Sequence, residues 1–555
     1  MATSAQLRRE ILAGQWDKAL CMLYGTEPAV LARQRQRYAA ALEQFELYYG
    51  PGRQVHVYSA PGRAELGGNH TDHQHGYGLA AAVTLDLVAV ASPSDDGFIR
   101  VKSRGFNKLD VIDLSEAEPQ QGESTHSASL IRGIAEGFRA QGKTVGGFDA
   151  YTASDVLRGS GLSSSAAFEM GMAAILNGEY GCGLTAPELA KICQYAENTY
   201  FGKPSGLLDQ LTSAVGGVIF ADFADPKKPR IEKIHTAGLL PADMTLCVTD
   251  TRGSHSELTG EFAAIRHEME SVAACLGGKV LGQVKEQEFW TALPRLRRAC
   301  GDRAVLRAVH YFEENARALA QRNALVSGDF NAFLQLILES GHASFALCQN
   351  VYCSTDVRHQ GLSVALALSQ TLLEGQGGAW RMQGGGFAGT IQAFVPGMLT
   401  AKYHDAIEKV FGAGSCYLLR LREQGALRVI AENERLRAEI AVVKKEIALR
   451  EERCATQLKA KKLRSSKNSA NMKTNEIVSY NLSTSPNMAQ IKDMLNKAFK
   501  RFPSTQGLII STITITAGPK RKQNGCLPLN SGKHPGWKLN YSILNRCILS
   551  MDVVV

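Results

Sequence analysis

No Cys-x-x-Cys pair occurs anywhere in the chain. Its twelve cysteines are scattered through 555 residues, without the spacing of a zinc ribbon or a disulfide framework, which predicts reduced thiols in a cytoplasmic protein. Long apolar runs are missing as well. None reaches the roughly 18 residues a membrane span needs, and the opening MATSAQLRREILAGQWDKAL lacks the apolar centre of a secretory leader, so no membrane partner is expected. Basic residues outnumber acidic ones, 62 to 53, but residues 455–555 hold sixteen Lys and Arg against three Asp and Glu, leaving 46 against 50 in residues 1–454. The basicity belongs to the C-terminal stretch. No aromatic-interleaved motif accompanies it, so no specific nucleic-acid partner is expected.

What the chain does contain is a series of changes in pattern. Leu7, Ile11, Leu20, Leu23, Leu31, Tyr38, Leu42 and Phe45 fall at helical spacing, which predicts a helical extension over residues 1–49. Residues 54–60 alternate like a strand, and GLAAAVTLDLVAVASP (78–93) is a long apolar run read as a buried strand. Helices are expected over 127–141, 186–201 and most of 255–345, and strands over 216–223 and 244–251. Interleaved helices and strands predict an α+β enzyme scaffold. Beyond Gly425, Val429, Leu436 and Val443 recur every seven residues, as do Asn433, Ile440 and Ile447. Residues 425–454 are therefore a short coiled-coil candidate, suited to weak self-association through 427–450. Residues 455–555 read as a basic, disordered tail, with structure expected only at 489–502 and 510–516.

Two short segments carry chemistry. GRAELGGNHTDHQHG, residues 62–76, packs polar groups onto very little side-chain bulk. It admits three readings: a metal site using His70, Asp72, His73 and His75, an exposed turn, or a loop that hydrogen-bonds a small polar ligand from between two strands. GSGLSSSAAFE, residues 159–169, places two glycines and three hydroxyls ahead of an apolar helix. Its bland reading is a Ser-rich helix cap. Its functional reading is a phosphate cradle, in which glycines admit the ligand and the helix N-terminus supplies N–H donors and positive dipole charge. The segment carries no Walker lysine.

With two further motifs, these segments resemble the GHMP kinase superfamily and, within it, the galactokinases. The galactokinase signature, approximately GRxNxIGEHTDYNxG, is similar to GRAELGGNHTDHQHG. The superfamily loop PxGxGLSSSA is similar to LRGSGLSSSA, with Leu157 where proline is usual. AExxFxGxxxGxxDQ matches AENTYFGKPSGLLDQ (196–210), and GGGFGG matches GGGFAGT (384–390). The motifs follow one another in family order and stop short of Arg422.

The resemblance implies a two-domain GHMP-kinase-like fold, with an ATP- and sugar-binding domain over 50–222, a second domain over 223–424 and the active site between them. It implies a kinase of galactose metabolism that uses ATP and Mg2+ to phosphorylate the anomeric hydroxyl of galactose. Asp209 takes the position of the catalytic carboxylate and Arg63 that of the transition-state arginine. Gly159, Gly161, Ser163 and Ser164 fall on the ATP phosphate loop, and Ser165 and Glu197 on its magnesium ligands. Arg63, Asn69, His70, Asp72, Asp209 and Phe262 fall on sugar-binding positions. Three of these neighbourhoods depart from the family: Glu65 replaces its usual asparagine, Asn69 its glutamate and Phe262 a common tyrosine. Two alternatives remain at this point, a kinase for a related sugar such as galacturonate and a non-catalytic sugar sensor. Because every motif precedes it, truncation near Arg422 is expected to leave an active kinase.

Overall fold

The computed structural model describes residues 2–120, 122–156, 161–203, 205–253, 258–429, 513–516, 538–544 and 548–554. The chain divides into two compact units, residues 1–446 and 447–555. Among the described residues, no helix is long and apolar enough to cross a membrane.

The first unit is built on two sheets. The larger contains β1 (Ala2–Thr3), β2 (Gln54–Gly67), β3 (Tyr77–Ser94), β4 (Phe98–Ser103), β5 (Leu109–Asp113), β6 (Gly147–Ser154), β7 (Val218–Asp222) and β8 (Arg230–Ile234), and a late strand described below. Its main path runs β1-β2-β3-β6-β4-β5, while β7 pairs with β3 and β8 with β7. The smaller sheet takes β9 (Met244–Asp250), β10 (Ala379–Gln383), β11 (Thr390–Pro396) and β12 (Cys416–Leu419) in the order β10-β11-β9-β12.

β3 reads as one apolar run because both of its faces are covered. On one face Val88 and Val90 pack with Val55 and Val57 against α1 (Ser4–Leu12), α2 (Asp17–Tyr24) and α3 (Pro28–Tyr49), through Leu7, Ile11, Leu20, Tyr38 and Phe45. On the other, Leu87, Ala89 and Ala91 meet α4 (Ser127–Ala140), α5 (Ser164–Glu179), α6 (Ala186–Ala196) and α7 (Leu208–Val215). Residues 1–49 are therefore a layer of the larger sheet and not an extension from it. The later helices are α8 (Thr259–Cys275), α9 (Glu286–Cys300), α10 (Asp302–Ser327), α11 (Phe330–Ala343), α12 (Gly361–Leu373) and α13 (Thr400–Phe411).

The expected boundaries shift at two places. β8 lies beyond residue 222 yet extends the larger sheet through its pairing with β7. Leu427–Val429, read as the start of a coiled coil, instead forms β13, which pairs antiparallel with Ser59–Val57 of β2. Leu427 and Val429 alternate with Arg428 at strand period along an open sheet edge, and backbone pairing there replaces the heptad register. The rest of the coiled-coil candidate lies outside the described residues, as does the helix expected over 489–502.

A buried ion cluster fixes β13 and the helical layer to the same point. Asp86 on β3 accepts from Arg37 (Nη1, 2.6 Å), Tyr24 (Oη, 2.6 Å) and Arg422 (Nη1, 3.1 Å), and from the Ser59 hydroxyl. Burial alone would raise the Asp86 pKa, but Arg37 and Arg422 outweigh it and hold the carboxyl below its ordinary value.

In the second unit, β14 (Ile513–Thr516), β15 (Lys538–Leu544) and β16 (Ile548–Val554) form a sheet in the order β14-β16-β15. β14 falls within the segment read as structured. β15 and β16 do not, although KLNYSIL alternates polar and apolar residues at strand period.

Candidate active site

Arg63 stands on β2 between two register shifts against β3, at Pro61/Arg63 and Glu65/Gly67. Such irregularities re-aim side chains next to functional sites. Its guanidinium forks onto Asp209, the second residue of α7, with Nε to Oδ1 at 2.7 Å and Nη2 to Oδ2 at 2.8 Å. Nη1 donates to the Gly161 carbonyl, and the Ser163 hydroxyl donates to Asp209 Oδ2 at 2.7 Å. Burial would lift the Asp209 pKa; the Arg63 charge and the hydrogen bonds from Ser163 and Arg63 reverse that and lower it. The Asp209 side chain keeps 33% of its surface exposed while that of Arg63 keeps 8%. The carboxylate is reachable and its orienting cation is not.

Ser163 is the N-cap of α5, with left-handed φ of 58°, and its side chain does not cap the helix. The first N–H groups of α5 thus have no side-chain cap, and no acidic residue occupies the first turn, an arrangement suited to an anion. The loop meets the β10–β11 turn at two glycines: a Cβ on Gly384 would lie 3.3 Å from Gly161 Cα. Gly159 lies outside the described residues. Another octet, GFRAQGKT (137–144), matches the P-loop pattern by its letters. It spans the C-terminal end of α4, where carbonyls and negative dipole charge face outward, so it cannot cradle phosphate.

Glu197 begins a π-helical turn at the end of α6 and is buried. Its Oε1 accepts from the Ser165 hydroxyl at 3.2 Å and from Lys203 Nζ at 2.7 Å, and its Oε2 from Gln210 Nε2 at 2.8 Å. Gln210 also donates to Glu169, whose pKa burial and the neighbouring Glu197 raise well above the ordinary value. Ser165 and Glu197 thus offer adjacent hard oxygen donors, with an ammonium already drawn to the carboxylate.

In the 62–76 segment the structure separates polar groups that frame the site from those that face it. His70 Nε2 lies 3.1 Å from the Gly385 carbonyl, His70 Nδ1 lies 3.2 Å from His73 Nε2, and His73 Nδ1 lies 3.1 Å from Gln74 Nε2. One tautomer satisfies this chain, with each ring donating through Nε2 and accepting through Nδ1. Burial lowers the His70 pKa to about 4, so the ring is neutral. These nitrogens are spent on protein partners, and among the described residues no cluster of three or more His, Cys, Asp or Glu could hold a metal ion. Asp72 Oδ1 accepts from the His73 N–H at 2.7 Å, while burial, then Asp209 and Glu65, raise its pKa to about 6. Phe262 packs edge-on to Phe387 at 5.5 Å and covers Gly385, where a Cβ would fall 2.4 Å from its ring.

Four segments distant in sequence thus converge: 63–72, 161–165, 197–210 and 384–387. Residues 43–93 match the galactokinase galactose-binding signature, and residues 129–217 match the GHMP kinases N-terminal domain. The galactokinase of Streptomyces coelicolor (strain ATCC BAA-471 / A3(2) / M145) is 34% identical over 397 residues, covering 70% of this chain and 97% of its own. This chain belongs to the galactokinase family. The crystal structure of Lactococcus lactis galactokinase complexed with galactose superposes with a TM-score of 0.61 at 24% identity, covering 71% of this chain and all of that one (100%). The Lin0012 protein from Listeria innocua superposes with a TM-score of 0.50 at 14% identity, covering 68% and 99%. These two likenesses concern the fold.

Against the galactokinase pattern, Glu65 and Asn69 are a reciprocal exchange. Asn69 Nδ2 donates to Glu65 Oε1 at 2.9 Å and to the Gly384 carbonyl at 2.7 Å, and its Oδ1 accepts from Asn350 Nδ2 at 3.0 Å. Glu65 also takes Arg381 Nη2 at 2.8 Å. With Asn69 only 1% exposed, its side chain belongs to the frame, which revises its expected place as a sugar contact. The frame residues Arg381 and Asn350 carry no local motif and were not legible in sequence. Lys203 was passed over as well, although its place inside AENTYFGKPSGLLDQ, between Glu197 and Asp209, is a signal that could have found it.

Proposed function

We propose that this chain transfers the γ-phosphoryl group of ATP to the anomeric hydroxyl of galactose in the cytoplasm, giving galactose 1-phosphate and ADP. The observation that carries the reading is the Arg63–Asp209 fork, one hydrogen bond from Ser163 at the uncapped start of α5. Phosphoryl transfer to a hydroxyl demands in-line positioning and charge stabilisation more than strong base catalysis. Asp209, with its lowered pKa, stays ionised, orients the sugar hydroxyl and accepts its proton late, once the bond to phosphorus makes that proton acidic. Arg63 holds the carboxylate and, without reaching the phosphoryl oxygens, adds positive charge to the field in which they lie. Gly161, Ser163 and Ser164 offer backbone N–H groups to the triphosphate.

The oxygens of Ser165 and Glu197 suit Mg2+, which takes one or two protein ligands and leaves other positions to water and phosphate; when bound, it neutralises the β and γ oxygens. Asp72 faces the sugar hydroxyls, while His70, a neutral ring held between His73 and the Gly385 carbonyl, braces the wall that Phe262 closes beside Gly385. A neutral sugar is favoured because Asp72, Asp209 and Glu65 already repel one another, and a uronate would add a fourth negative charge.

A coupled ADP-release assay over hexoses and uronic acids should single out galactose. Preference for galacturonate would overturn the sugar and leave the kinase chemistry standing. Asp209→Asn should lower kcat by about 10²-fold or more while ATP affinity holds; more than about a tenth of wild-type turnover would remove Asp209 from its role.

A further inference from the structure

Two thiols outside the active site lie within reach of one another. Cys275 ends α8 and Cys300 ends α9, and their sulfurs are 3.5 Å apart. Among the described cysteines Cys275 is the exposed one, and Cys300 is half-buried. A disulfide bond is about 2.05 Å long, so small side-chain rotations would bring these sulfurs to bonding distance. Beside them runs an open groove of about 900 Å³, lined by Cys275, Lys285, Glu288, Arg295 and Arg298. Arg295 is anchored by a 3.0 Å bond from Nη2 to the Cys275 carbonyl. Lys285 pairs with Glu288 at 3.7 Å, which leaves Arg295 and Arg298 as net positive charge that favours a small anion, and a thiol opens into the groove.

We propose that Cys275 and Cys300 are a reversible dithiol–disulfide site, oxidised by an anionic small-molecule disulfide seated in this groove. The Cys275 thiolate attacks one sulfur of the small disulfide, forming a mixed disulfide and releasing one small thiolate. The Cys300 thiolate then attacks Cys275 Sγ, closes the protein disulfide and releases the second. Two protein thiols are oxidised, one disulfide is reduced to two thiols, and two protons leave the protein. The site suits a cytoplasmic protein, where disulfides are transient and responsive.

Closure would have a consequence near the sugar loop. The ring from 275 to 300 includes the turn 276–285, whose Leu281 N–H donates to Gln74 Oε1 at 3.0 Å and whose Gly282 lies against the Gln74 carbonyl and His75. Gln74 is the donor at the head of the His73–His70 chain. A covalent ring disfavours local opening of that turn.

The full-length protein is incubated with glutathione disulfide, then acid-quenched, alkylated and mapped by mass spectrometry without reduction. The expected result is a peptide linking Cys275 to Cys300, two equivalents of glutathione released, and reversal by dithiothreitol. C300S should stop at glutathionylated Cys275, and uncharged hydroxyethyl disulfide should react at least about threefold more slowly than glutathione disulfide. Amide exchange in peptide 276–285 should slow at least about threefold in the oxidised protein. Wild type that stops at the mixed disulfide, or modification confined to other cysteines, would overturn the pairing. Rates indifferent to the charge of the small disulfide would overturn the groove's role, and unchanged exchange would overturn the staple.

Discussion

Asn69 and Glu65 show how a residue's role depends on its partner. The family's asparagine and glutamate are exchanged, and in this chain the two side chains meet at 2.9 Å, so one carboxylate and one carboxamide share the frame. Asn69→Glu alone sets a second carboxylate against Glu65 with one arginine, Arg381, between them, and one acid must take up a proton. Urea unfolding should register a loss of roughly 2–4 kcal/mol, with Glu65→Asn/Asn69→Glu recovering most of it. Additive losses in the double variant would show that the pair is not a unit. Asp72 makes a different point. Its folded pKa, about 6 against an ordinary 3.8, means that the folded state holds the proton more tightly than the unfolded chain does. Ionisation therefore carries a penalty to stability, and that penalty is absent below about pH 3.8 and complete above about pH 6. Asp72→Asn should raise the thermal midpoint at pH 8 and change it little at pH 4. Sugar kcat/KM should fall in the wild type as pH drops through about 6; in the variant it should be low and flat, and a surviving acid limb there would point to another group.

Three elements around the site depart from regular geometry where ligand would lie. β2 shifts register on either side of Arg63, α6 widens to a π turn at Glu197, and α5 starts from an uncapped, left-handed Ser163. His70 and Phe387 are also left-handed, with φ of 60° and 59°. Non-glycine residues held there cost about 1–3 kcal/mol each, supported by the packing of the elements that carry them. Gly206, in the loop before α7, exists for a related reason. A Cβ there would fall 1.7 Å from Asp72 Oδ2, so Gly206→Ala must push Asp72 aside. The sugar KM should rise at least about tenfold, since misplacement by about an ångström is costly, while ATP affinity stays put; an unchanged KM would mean that Asp72 does not contact sugar. Element type was largely legible in sequence because α4 announces itself by helical period, and β3 and α5 by apolar runs that follow turn-forming segments. The bulges and the π turn were not, since they arise from side chains accommodated across the fold.

For the whole molecule, the C-terminal limit of the catalytic body is set by Asp86. Arg422 reaches it from one side and Arg37 from the other, and Arg422 also donates to the carbonyls of Gln424 and Gly425. Truncation after Arg422 deletes those acceptors and β13, exposing the β2 edge and leaving a buried guanidinium under-partnered. This replaces the expectation that a kinase ending there survives. A chain ending at Glu446, the limit of the first compact unit, should keep kinase turnover within about twofold of the full chain. The chain ending at Arg422 should be insoluble or melt at least about 5 °C lower, and equal midpoints for the two would deny β13 a structural part.

The sequence by itself determined the chemistry. Approach to phosphate requires glycine and hydroxyls ahead of a helix, and hydroxyl recognition requires dense polar groups on a tight loop, both demands met within a dozen neighbouring residues. It also determined the layered scaffold, since burial of β3 on both faces leaves an unbroken apolar run. Only the tertiary structure decided which polar residues of the 62–76 segment spend their hydrogen bonds on the frame. That choice rests on buried atoms finding hydrogen-bond partners, and for Asn69 and Glu65 these are Asn350 and Arg381, 281 and 316 residues away. No local period carries such pairings. The fate of 427–429 was settled in the same way, by an open edge on β2 that offered backbone partners to a segment whose spacing equally suited a coiled coil.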